Sequence, residues 1–205
     1  MNRRWICIPL LFSLAACISL VNYVGKGWEA YQKGDLDGAE KYFRTAVRKR
    51  PHDAIAHNNL GVVLLDLDRV DEAIQVLKMA TILSKTPYAS PHVNLAKAYL
   101  EKGDLKLARE HGDKAISIDA ANPIAQLVVA NVYVALNERL KEAESYAQTA
   151  TQKVSDYDKA AAWSTLAEIE FKLGKDSAAL QALDTALALD TDNPFYRQQK
   201  SLYRP

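Results

Sequence analysis

Residues 163–186 open on Trp163-Ser164-Thr165-Leu166-Ala167, run on through Phe171 and Gly174, and close on Ala179, Leu183 and Ala186. The small residues Ala167, Ala179 and Ala186 stand 12 and then 7 positions apart. The same grid recurs up the chain. Gly27, Gly61, Ala96, Asn131 and Ala167 are separated by 34, 35, 35 and 36 positions, and so are Ala39, Ala73, Ala108, Ala143 and Ala179. Ala46, Ala80, Ala115, Ala150 and Ala186 form a third column with the same differences. The 12 and 7 spacing holds within every unit, so all variation in length falls between units. Such a grid reads as pairs of antiparallel helices packed so closely that only Gly or Ala fits where they cross. A turn lies between the first two columns, at Lys33-Gly34-Asp35, Lys102-Gly103-Asp104 and Leu173-Gly174-Lys175. Glycine there can take the left-handed conformation that ends a helix. Units close at Pro51, near Pro87, at Asn122-Pro123 and at Asn193-Pro194, where proline can open a helix but not continue one. Leu60, Leu95 and Leu166 precede the first column, and Phe43, Leu77 and Leu183 lie between the other two.

This pattern resembles the tetratricopeptide repeat. The fifth unit, Trp163 to Ala186, is the clearest, and the second, from His57-Asn58-Asn59-Leu60-Gly61 through Asp71-Glu72-Ala73, is close to it. The fourth unit departs, with Asn131 in the small column and Glu138 in place of the turn glycine. The first has Lys26 where leucine is usual in the family. The resemblance implies an all-α fold, a right-handed superhelical solenoid of about five helix-turn-helix repeats. The repeats are expected at about residues 20–53, 54–88, 89–123, 124–159 and 160–193 of a solenoid spanning 17–193, followed by a capping segment at 194–205. That cap reads as a further first helix with a polar outer face.

The chain opens Met1-Asn2-Arg3-Arg4, turns mostly apolar from Trp5, and reaches Leu14-Ala15-Ala16-Cys17. A charged start, a short apolar run and small residues before a cysteine have the layout of a secretory signal. Leu-Ala-Ala-Cys resembles the lipobox of bacterial lipoproteins. That resemblance implies a signal peptide at residues 1–16 and a covalent lipid on Cys17. Two or three acyl chains anchor a protein durably, at about 0.8 kcal/mol per buried methylene. The apolar stretch from Trp5 to Val24 is also long enough to be read as an uncleaved anchor, and a plain cleaved signal is the third reading. Arg3 and Arg4 would remain cytoplasmic in the anchor reading, so it too exports the repeats. Ile18 is not the Asp of the inner-membrane retention pattern, which favours the outer membrane, facing the periplasm, with an inner-membrane anchored, periplasmic position as the alternative.

Composition narrows the function. Lys and Arg number 26 against 25 Asp and Glu, so no basic excess points to nucleic acid. Cys7 and Cys17 cannot staple a secreted domain, and 8 Gly with 7 Pro are too few for a disordered or collagen-like chain. Phosphate loops, nucleophile elbows and paired acids are absent from the sequence. His52, His57, His92 and His111 are scattered, and no metal site is expected. The reading is therefore non-enzymatic: no cofactor beyond the lipid, no small-molecule substrate, protein partners, and a membrane reached through the N-terminal lipid or anchor.

The family resemblance places a binding groove on the first helix of each unit. Its positions here are Trp28 and Tyr31; Asn58, Val62 and Leu65; Val93, Lys97 and Leu100; Val128 and Val132; and Glu168 and Phe171. The mixture is apolar enough to suit an amphipathic helix or an extended apolar segment. The carboxylate clamp of chaperone-binding relatives is not present, because its positions hold Val24, Trp28, Asn59, Ser90 and Asn94, without a cation. The layout as a whole resembles the outer-membrane lipoproteins that help assemble type IV pilus secretins. A periplasmic chaperone and an adaptor for cell-wall enzymes are the competing readings.

Overall fold

The computed structural model describes residues 23–203. The signal-peptide, lipobox and Cys17 expectations therefore lie outside the described residues. Within them the chain is helical throughout and contains no strand. Residues 23–32 form α1. There follow α2 (Leu36–Lys49), α3 (Ala54–Asp66), α4 (Val70–Leu83), α5 (Ala89–Lys102), α6 (Leu105–Ile118), α7 (Pro123–Leu136), α8 (Leu140–Lys153), α9 (Asp156–Lys172), α10 (Asp176–Leu189) and α11 (Pro194–Leu202). No helix of the described residues is long and apolar enough to cross a membrane. Odd-numbered helices are the first helices of the repeats. The boundary expected between 159 and 160 falls inside α9. That helix starts at Asp156, directly after Ser155, whose hydroxyl donates to Asp158 Oδ2 at 2.7 Å.

Helix starts and stops follow from the residues at the junctions. Asp53 accepts the N–H groups of Ile55 and Ala56 at 3.0 and 3.1 Å, and Asn122 accepts those of Ile124 and Ala125 at 3.0 Å each. Each satisfies donors that the first helical turn would otherwise leave unpaired. Gly34, Gly103 and Gly174 take φ of 76°, 79° and 74° at the turns, and in the second repeat Asp68 takes the same position at 58°. The fourth repeat solves the turn differently. Asn137 (φ 54°) and Arg139 (φ 50°) flank Glu138, and both are left-handed. The Arg139 guanidinium lies 4.7 Å from the centre of the Tyr133 ring and donates to its hydroxyl at 2.5 Å, which offsets the backbone strain.

The chain divides into two compact units, between Leu83 and Ser84. In the first, α2 and α4 both pack on α3. Glu40, Arg44, Arg69 and Glu72 close a ring of charge, with Arg69 to Glu40 and Arg44 to Glu40 both at 2.6 Å, Arg69 to Glu72 at 2.6 Å and Arg44 to Glu72 at 3.0 Å. In the second, α5 to α10 stack pairwise, and α11 packs on α10.

The small columns are buried except at the half-buried Asn131, and in the first two repeats the packing behind them is an exchange of volume. Four residues after the second column stand Phe43, Leu77, Gly112, Ala147 and Leu183, all buried. Where the first helix offers glycine, the second inserts a large side chain: Phe43 over Gly27 and Leu77 over Gly61. In the third repeat the second helix offers Gly112, whose added Cβ would lie 3.0 Å from Val129 Cγ2 and 3.9 Å from the Ala96 methyl. The fourth repeat sets Asn131 in the first column with Ala147 in the second helix, whereas the fifth has Ala167 with a buried Leu183 and does not exchange volume in this way.

The C-terminal cap is helical, opened by Asn193 accepting the Phe195 N–H at 3.0 Å. Its outer face carries polar Arg197, Gln198 and Ser201 and adds two apolar side chains. Phe195 and Leu202 are 55% and 66% exposed, and Tyr196 and Gln199 are the residues it buries.

Candidate functional site

Within each unit, the residues named from the sequence divide between buried and accessible positions. In the first unit, Trp28 is exposed, and its ring meets Tyr31 edge-on at 5.3 Å and Phe43 at 5.8 Å. The Tyr31 hydroxyl donates to Asp66 Oδ2 at 2.6 Å, tying α1 to α3. Val62 is half-buried, while Asn58 and Leu65 are buried.

In the second unit, Lys97 is exposed, and Leu100 and Val128 are half-buried. Val93 is buried in a cluster with Ala115 and Ala125, against which Val128 packs. Val132 is 0% exposed. Glu168 is half-buried, and Phe171 is exposed and stacked on Tyr203 at 4.1 Å with the planes 9° apart.

The expected groove is therefore corrected at four positions. Asn58, Leu65, Val93 and Val132 hold the first helices in place and present no side chain to a partner. A side chain on a first helix reaches solvent only where neighbouring helices leave it uncovered, and sequence spacing alone does not say where that is. The positions left with accessible surface are Trp28, Tyr31, Val62, Lys97, Leu100, Val128, Glu168 and Phe171.

Three features go beyond the residues that the sequence singles out. The first is a cavity of about 260 Å³ in the second unit, lined by residues of α7, α9 and α11 together with Asn193. Its floor is polar and internally satisfied. Ser164 donates to Gln199 Oε1 at 2.8 Å, and Thr165 donates to Asn131 Oδ1 at 2.9 Å. Glu168, Phe195 and Tyr196 also line it. Burial, followed by the Glu168 charge, holds the nearby Tyr203 phenol up at about 12.

The second feature is a histidine pair. His92 Nδ1 and His111 Nδ1 lie 3.0 Å apart, across α5 and α6, and Tyr99 stacks on His111 at 5.6 Å. One ring must donate and the other accept. Burial, then the neighbouring His111 and Lys114, holds His92 below the ordinary imidazole value. Glu110, Asp113, Lys114 and Ser117 line the same surface pocket. Among the described residues no cluster of three metal-ligating side chains occurs.

The third is Glu170, buried on α9 with Oε2 unpaired. Three residues after the first small column stand Ala30, Leu64, Tyr99, Val134 and Glu170, all buried. Glu170 is thus an acid in an otherwise uncharged column. Burial, and then the Glu144 charge, pushes its carboxyl up, while Lys175 opposes the shift.

Comparison with known proteins agrees with the fold. The tetratricopeptide repeat family matches residues 24–90 and 130–194, and a second tetratricopeptide repeat pattern matches 89–122. The peroxisomal targeting signal receptor of Eremothecium gossypii is 32% identical over 102 residues, which are 50% of this chain and 18% of the receptor. Among solved structures, the APC/C hetero-tetramer Cut9-Hcn1 superposes with a TM-score of 0.82 at 20% identity, covering 90% of this chain and 36% of that one. A thermophilic TPR protein of Thermus thermophilus gives 0.69 at 24% identity, covering 90% and 98%. YrrB, a TPR protein with an unusual peptide-binding site, gives 0.61 at 17% identity, covering 91% and 98%. At these identities the structures speak for the fold alone. Grid, helix pairs and family matches agree, and the chain belongs to the tetratricopeptide repeat family.

Proposed function

We propose that this chain is a non-enzymatic protein-interaction scaffold of the bacterial cell envelope. In this reading a lipid on Cys17 tethers it to the outer membrane, and it binds a protein partner through the uncovered parts of its first helices. The observation that supports binding is the exposure of Trp28 on α1 and Phe171 on α9, both 38%. Exposed aromatic side chains are favoured anchors for a partner. Likeness to two proteins, a peroxisomal targeting signal receptor and a TPR protein with an unusual peptide-binding site, supports a peptide segment as the ligand. The lipobox reading of Leu14-Ala15-Ala16-Cys17 supports the tether. The layout, likened above to pilus-secretin assembly lipoproteins, makes a type IV pilus secretin the first partner to test.

Two experiments decide these points separately. Palmitate incorporation should depend on Cys17, and labelling that persists in Cys17→Ala would remove the lipid tether. Deletion of the gene should leave secretin monomers in place of multimers. Normal multimers would end the pilus reading. In that event, capture of a cell-wall hydrolase would mark the chain as an adaptor, and broad suppression of aggregation would mark it as a chaperone.

A further inference from the structure

The cavity bounded by α7, α9 and α11 has an incomplete charge. Its floor hydroxyls are used within the protein, Ser164 on Gln199 and Thr165 on Asn131. Asn193 accepts from the Phe195 N–H and donates to Asp190. Glu168 has no hydrogen bond or ion pair among the described residues, although it is half-buried at the cavity wall. Phe195 lines the same cavity, 55% exposed and edge-on to Tyr196 at 6.0 Å. The cavity therefore combines a carboxylate without a counter-ion, exposed aromatic surface, and room for a side chain rather than a folded element.

We infer that this cavity is a docking site for a lysine or arginine side chain on an extended segment of the protein partner. This rests on the scaffold reading and names the chemistry of what is bound. A cation meets both the Glu168 carboxylate and the negative face of an aromatic ring. An apolar side chain would cover the carboxylate without pairing it, which is unfavourable, and an acidic one would be repelled. Asn131, which also lines the cavity, can serve a backbone group of the same segment.

The probe is a capped pentapeptide with one central arginine, titrated into the ¹⁵N-labelled full chain in detergent. The control peptide has citrulline at that position, with the same shape and no charge. The arginine peptide should shift the amide signals of Glu168, Phe195 and Asn131 saturably, and the citrulline peptide should not. Glu168→Gln, which is isosteric, should weaken binding about fivefold with unchanged helicity, while Glu110→Gln on α6 should leave it unaltered. Equal binding of both peptides, shifts elsewhere, or no shifts would overturn the site. If the natural partner is still captured equally by the wild type and by Glu168→Gln, the scaffold reading stands and the cation site alone falls.

Discussion

Gly61 and Leu77 provide a direct test of volume exchange between paired helices. A Cβ added at Gly61 would lie 2.5 Å from both Cγ and Cδ2 of Leu77. Carbon atoms in contact prefer about 3.5–4.0 Å, so α3 and α4 would have to separate by about 1 Å or Leu77 would have to leave its rotamer. Leu77 is 0% exposed and has nowhere to swing. Overpacking of this kind costs about 1–3 kcal/mol. Alanine in a helix gains about 1 kcal/mol over glycine. Gly61→Ala should therefore destabilise by about 0–2 kcal/mol. Leu77→Ala alone should cost about 3–5 kcal/mol through lost burial and the cavity left behind. In that background the clash is gone, and Gly61→Ala should now stabilise by about 1 kcal/mol. The same substitution thus changes sign, with a coupling energy of about 1–3 kcal/mol. Helical repeats can open in parts, so hydrogen exchange of the α3 and α4 amides is the suitable readout, with helicity against urea as a check. If Gly61→Ala has the same effect in both backgrounds, within about 0.5 kcal/mol, the two positions do not share one volume and the packing argument fails.

Asp53→Ala removes the acceptor for two N–H groups of α3 and should cost about 1 kcal/mol, read as earlier exchange of the Ile55 and Ala56 amides. Glu170→Leu should stabilise at neutral pH by about 1–3 kcal/mol, because it removes a buried carboxyl whose Oε2 is unpaired. The folded carboxyl is pushed up, so its penalty exists above the ordinary carboxyl value and fades as pH falls. The gain in melting temperature should shrink towards pH 4 or thereabouts, and a pH-independent gain would contradict this account. For His92 the sign is the reverse, since a base held low when folded takes its proton more readily when unfolded. Stability should fall as pH drops below about 6.5, and His92→Gln should flatten that slope in thermal melts from pH 7 to 5; an unchanged slope would place the titration elsewhere.

The three small columns make the helix pairs, their turns and their number legible, because close helix crossing permits few residue types and so leaves a mark at fixed spacing. Residues that meet across helices leave no such mark. His92 and His111 are 19 positions apart and touch only because α5 and α6 are antiparallel. Phe171 and Tyr203 meet across α9 and the end of α11. The groove residues share a face by spacing, but that face alternates between covered and uncovered positions. Val132 and Val128 differ by one helical turn, yet one is sealed and the other only half-buried. Glu170 is readable in principle. Aligning the position three beyond the first column shows Ala30, Leu64, Tyr99 and Val134 before it. The small columns by themselves do not reveal it, because close crossing constrains only the residues at the contact.

Glu168 and Glu170 show how one helix separates stability from recognition. Two residues along an α-helix turn by about 200°, so the two carboxyls point to opposite sides of α9. Glu170 enters the buried column and Glu168 meets the cavity. The repeat grid constrains the first position and is indifferent to the second. If that division is right, the two substitutions dissociate. Glu170→Leu should raise the stability of the second unit and leave arginine-peptide binding as it was. Glu168→Gln should weaken the peptide and leave stability within about 0.5 kcal/mol. Loss of binding on Glu170→Leu would mean that the buried acid sets the field of the cavity, so that the two carboxyls act as one site. Restoring binding with Lys175→Met in that background would then identify Lys175 as the group that Glu170 holds in check, since Lys175 lies within reach of both Glu144 and Glu170.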